Sequence, residues 1–190
     1  MAKTENQLFR LRRPAAPLPS EADFDPFGGG RDAQSAWKNF GELSLKQAYD
    51  LFVTNPSNYQ EDFMLMGSMA FGYYFPVIDR YIREVSGEEA GDDCEVAILG
   101  SGVAAQFACR GSRFDQCLIA EIGQLSDYVS SHLAQYSPSA KDHRRIMRAW
   151  GLVDKNVAEY KTKSEQADAA NSSAASNLNS TSSVRGSEDF

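Results

Sequence analysis

Residues 95–107 read Glu-Val-Ala-Ile-Leu-Gly-Ser-Gly-Val-Ala-Ala-Gln-Phe, which puts Val96, Leu99, Gly100, Val103 and Phe107 at helical spacing. A 3.6-residue period keeps all five on one side of a helix, whereas a strand would alternate them between two faces. Asp92 ahead and Gly111 behind supply a capping side chain and a terminal glycine, so the stretch predicts one helix of ordinary length. Few other segments constrain the fold as strongly, because the apolar face runs unbroken through two glycines.

Those glycines admit a second reading. Gly100, Gly102 and Ala105 spell Gly-x-Gly-x-x-Ala, and Cys117-Leu-Ile-Ala-Glu121 follows where a second strand ending in an acid would sit. The pattern is similar to the dinucleotide-binding fingerprint of flavin and nicotinamide enzymes. That similarity implies an oxidoreductase in which the glycines approach the pyrophosphate of FAD or NAD and Glu121 takes the ribose hydroxyls. Two features oppose it. Glu121 falls inside an apolar stripe formed by Leu118, Ile122, Leu125, Val129, Leu133 and Tyr136 at three- and four-residue steps. No alternating β-branched run elsewhere offers the further strands that a doubly wound sheet needs. The helix is therefore preferred and no cofactor is expected. The glycines then mark a close helix crossing, at a cost of about 1 kcal/mol each relative to alanine.

The remaining punctuation is also helical. Ser44-Leu-Lys-Gln47 and Ser57-Asn-Tyr-Gln60 read as capping boxes, and Ser137 followed by Pro138 reads as a helix start. Leu45, Ala48, Tyr49 and Phe52 share one face, and Ile146, Trp150, Val153 and Val157 share another. Residues 70–85 are apolar nearly all round, which predicts a central buried helix kinked at Pro76. The expected fold is all-α, a single compact bundle of about six helices over residues 41–162. Residues 1–40, with their prolines and the run Gly28-Gly29-Gly30, read as a flexible leader. Residues 163–190, rich in Ser, Asn and Ala, read as a disordered tail.

A net charge of −7 speaks against a broad nucleic-acid surface. The basic cluster Lys141-Asp-His-Arg-Arg145 with Arg148 reads as a solvated face, as does Arg10-Leu-Arg-Arg13. No apolar run is long enough to span a membrane, and Cys94, Cys109 and Cys117 are unpaired in pattern, so the expectation is a cytoplasmic protein with buried thiols. His132 and His143 lack partners at metal-ligand spacing, so no metal is expected. The reading leans against an enzyme. It favours a protein acting by protein–protein interaction, adaptor-like or immunity-protein-like, with a partner and an oligomeric state that the sequence does not identify. The first place to seek the contact is Tyr59, Glu61, Asp62, Met64 and Met66, where acids adjoin adaptable methionines.

Overall fold

The computed structural model describes residues 9, 17–25, 31–86, 94–108 and 113–182, and among them every regular element is a helix. In chain order these are α1 (Glu21–Phe24), α2 (Arg31–Phe40), α3 (Leu45–Thr54), α4 (Pro56–Tyr59) and α5 (Asp62–Leu65). They are followed by α6 (Ser68–Glu84), α7 (Glu95–Ala108), α8 (Gln116–Ser131), α9 (Leu133–Tyr136) and α10 (Ala140–Ser182). The all-α expectation holds. The count of about six expected over 41–162 is exceeded, because α1 and α2 precede residue 41 and the single-turn helices are too short to show periodicity.

The chain divides into two units, Met1–Asp154 and Lys155–Phe190, where the sequence suggested one bundle over 41–162. In the first unit α6 is the hub, packed against α1, α3, α5, α7 and α8. Its buried residues include Phe71, Tyr74, Phe75, Ile78, Tyr81 and Ile82, so the predicted central helix is present. Pro76 sits inside it and removes one helical donor, at a cost of about 3 kcal/mol. Full burial of each large apolar side chain contributes about 2 kcal/mol, so the packed rings outweigh the proline.

An aromatic chain runs through this core. Phe24 meets Tyr74 at 5.9 Å between ring centroids, Tyr74 meets Phe40 at 5.8 Å, and Phe40 meets Phe63 at 5.1 Å. Phe63 then meets Phe52 at 5.3 Å, and Phe52 meets Tyr81 at 4.9 Å. The Tyr74 hydroxyl is shared between the carbonyls of Phe40 (2.5 Å) and Leu43 (2.9 Å). The stretch 1–40, read from sequence as a flexible leader, contributes two helices to this core. Phe24, Ala36 and Phe40 are fully buried, because α1 and α2 lay one apolar side onto α6 and α5. Arg10–Arg13 and Gly28–Gly30 lie outside the described residues.

In the second unit the backbone is helical through Ser182, and residues 183–190 lie outside the described residues. Lys155 and Lys163 each approach Glu159 at 3.9 Å, pairs one turn apart that favour helix.

Candidate functional site

The Gly100–Ala105 stretch lies wholly inside α7, and among the described residues no strand–turn–helix surrounds it. The space beside Gly100 belongs to Trp150 of α10. A Cβ at residue 100 would stand 2.7 Å from the indole Nε1. Trp150 is completely buried, and its Nε1 donates a 2.9 Å hydrogen bond to the Val96 carbonyl. A side chain thus fills the gap that a pyrophosphate would need. Gly102 differs, since a Cβ there meets only Met64 Cβ at 3.7 Å, so the close crossing is made by Gly100 alone.

Glu121 is not brought to these glycines. It lines a cleft of about 350 Å³ between α6 and α8, with Phe75, Pro76, Asp79, Arg83 and Tyr128. Arg83 is held there by Asp79 at 2.9 Å and lies over the Tyr128 ring at 4.4 Å. The premises of the dinucleotide reading, two strands and a glycine turn aimed at an acid, are therefore absent among the described residues.

The expected partner surface is divided between interior and exterior. Met66 is fully buried and Asp62 nearly so, with Asn39 Nδ2 donating to the Asp62 carboxylate at 2.8 Å. Burial pushes the Asp62 carboxyl above its ordinary value, against the lowering effect of the Asn39 bond and with a smaller push from Glu61. Tyr59 is half-buried against Phe40. Glu61 and Met64 are exposed, and beyond the Met66–Gly67 turn Met69 is 66% exposed. Asp62 and Met66 therefore belong to the core. Sequence reasoning missed Met69, whose position in the first turn of α6 leaves it off the buried side.

Local packing is secured by two glutamines. Gln106 of α7, fully buried, donates through Nε2 to the carbonyls of Phe63, Met64 and Met66 at 2.7–3.2 Å. These are carbonyls at and beyond the C-terminal end of α5, where helical partners run out. Gln135 of α9 does the same for the end of α6, donating to Val85 at 2.8 Å and Arg83 at 3.3 Å.

The titratable candidates are structurally engaged. His132 donates to the Tyr128 carbonyl at 2.7 Å and stacks on that ring, and His143 donates to the Ser137 carbonyl at 2.6 Å. Cys94 is buried, which raises its thiol pKa, but Cys117 is exposed, against the expectation of buried thiols; Cys109 lies outside the described residues. Glu95, also buried, accepts from Tyr81 and, at 2.9 Å, from Ser57. Among the described residues no group of three or more His, Cys, Asp or Glu is placed to hold a metal, and no helix is long and apolar enough to cross a membrane.

One further surface has a distinct shape. Between α7 and the first turns of α10 lies a groove of about 440 Å³ with an apolar floor of Ala97, Ile98, Ala149 and Leu152. Its rim carries Lys141, Arg144, Arg145 and Arg148. These features define a class, a protein helical throughout its described residues, with a basic groove and with exposed methionines on the helices flanking a buried turn. No family model matches the chain, and no match is found among the curated proteins or the solved structures.

Proposed function

We propose that this chain is a non-enzymatic protein that works by binding another protein through its helical surface, in the manner of an adaptor or an immunity protein. The observation that carries this reading is the pair of exposed methionines in the two helices that flank the buried Met66–Gly67 turn, Met64 in α5 and Met69 in the first turn of α6. There Met69 and Met64 are 66% and 37% exposed, with the exposed carboxylate of Glu61 nearby in sequence. Methionines adapt their flexible thioethers to a partner's contours, and a charge beside them sets orientation. The reading is supported further by how the chain uses its reactive groups, since both histidines and the buried acids described above are hydrogen-bonded within the fold.

The test is affinity purification from the native host with the full chain and with the double variant Glu61→Lys/Met69→Lys. Both positions are exposed, so the thermal midpoint should hold, and a partner retained by the unsubstituted chain should be lost from the variant. An unchanged set of co-purifying proteins overturns the reading of this surface.

A further inference from the structure

We propose that the groove between α7 and α10 is a docking site for an acidic amphipathic helix of a partner protein. The inference rests on reading the chain as one that acts by contact with another protein, and it concerns a surface separate from Glu61–Met69. Three observations favour that occupant. The first is charge. Lys141, Arg144 and Arg148 are exposed, and among the described residues none has a carboxylate within ion-pair distance. Arg145, 43% exposed, is already engaged within the fold, with Asp142 at 3.7 Å among its contacts, so the charge argument rests on the other three. Those three gather on one rim of a chain whose net charge is −7.

The second is spacing. Lys141, Arg144 or Arg145, and Arg148 follow one another by about one helical turn, so the cations span about 10 Å along the axis. Carboxylates one turn apart on a second helix lying alongside would meet them in register. The third is the floor. Leu152 is 50% exposed, and with Ile98 it provides an apolar strip beside the charges. An amphipathic helix supplies an apolar stripe next to an acidic one, the pattern of helix-in-groove recognition.

A nucleic acid matches the cations but not the rest. The groove has no aromatic ring on which a base could stack. A long polyanion would also meet the acidic remainder of the molecule, whereas a segment of groove length meets Lys141, Arg144 and Arg148.

The experiment is selection of a random-peptide display library on the immobilised full chain, with Arg144→Glu/Arg148→Glu and Leu152→Asn as counter-targets. The substituted side chains are exposed, and each variant's thermal midpoint verifies its fold. Enriched peptides should carry Asp or Glu at three- and four-residue spacing beside an apolar stripe. Their affinity should fall about tenfold or more with the charge reversals and measurably with Leu152→Asn. Enrichment of acid-free peptides, no enrichment, or undiminished binding to the charge-reversed chain overturns the groove and leaves the Glu61–Met69 surface standing. A single-stranded oligonucleotide that displaces the peptides and binds Leu152→Asn as tightly as the unsubstituted chain also overturns it, in favour of a nucleic-acid site.

Discussion

Three glycines on neighbouring helices have different fates when a methyl group is added. At Gly100 the new Cβ would sit 2.7–3.0 Å from three atoms of a buried indole. The ring cannot withdraw without breaking its bond to the Val96 carbonyl, so Gly100→Ala should destabilise the fold by about 1–2 kcal/mol, overpacking exceeding the gain in helix propensity. At Gly102 the nearest atom is 3.7 Å away, and at Gly151 nothing lies within 4 Å. Alanine at either should add up to about 1 kcal/mol of stability. Urea denaturation of the three variants reads this ordering directly. The sequence could place both signature glycines on a buried helix but could not tell them apart, because the difference lies in which side chain of α10 faces which one.

Asp62 is a second residue with a measurable signature. Its folded carboxyl pKa is raised by burial, so the folded state holds the proton more tightly than the unfolded chain. That contribution is fully present below the unfolded pKa and is lost as pH rises through the folded pKa. Asp62→Asn keeps an acceptor for Asn39 and removes the titration. The variant should therefore be more stable than the unsubstituted chain at neutral pH, and the advantage should shrink on acidification. A pH series of thermal midpoints running parallel for the two chains would refute this.

Between elements, the joints that matter are polar. Helices α5 and α6 end in carbonyls that their own turns do not satisfy, and Gln106 and Gln135 reach across from α7 and α9 to bond them. Replacing Gln106 with the similarly sized Met would leave buried carbonyls without that donor, at about 2–3 kcal/mol. The loss should be read as a lowered denaturation midpoint with an unchanged far-ultraviolet spectrum; a midpoint shift below about 0.5 kcal/mol would mean that other donors replace the amide. Such clasps are invisible to periodicity, which registers apolar spacing and ignores a lone glutamine. The local signals fared unevenly for related reasons. Ser44 and Gln47 form the capping box that their spacing suggests, the backbone N–H of Gln47 donating to Ser44 Oγ at 3.3 Å and that of Ser44 donating to Gln47 Oε1 at 2.9 Å. Ser57 instead lies inside α4, whose N-cap is Asn55, and its hydroxyl is turned to Glu95. The stripe from Leu118 to Tyr136 is interrupted at His132, the C-cap of α8, so Leu133 and Tyr136 belong to α9. The first departure occurs where a long-range partner, Glu95, competes with a local cap, and the second where His132 turns back onto Tyr128.

At the scale of the whole molecule, the apolar faces that were long enough to repeat were legible, and the segments that dock through one residue were not. Leu45, Ala48 and Phe52, Leu118, Ile122 and Val129, and Ile146, Trp150 and Val153 are all buried on the sides their spacing indicates. The groove was legible only as its basic half, because Ala97 and Ile98 come from a different helix. Helix α1 shows the limit most clearly. Glu21-Ala-Asp-Phe24 has one apolar anchor in a proline- and glycine-rich context, yet Phe24 is fully buried against Trp37 at 5.2 Å and Tyr74 at 5.9 Å. Because Tyr74 continues into Phe40 and Phe63, a cavity at Phe24 opens onto the central aromatic chain instead of freeing a loose end. Phe24→Ala should therefore lower global stability by about 3 kcal/mol or more, as deletion of a buried ring does elsewhere. Leu18, three residues before α1 and 53% exposed, provides the internal comparison, and Leu18→Ala should stay within about 0.5 kcal/mol of the unsubstituted chain. Equal midpoints for both variants would return this segment to a leader that merely rests on the core. A gap of the expected size would make α1 part of one cooperative unit with α6.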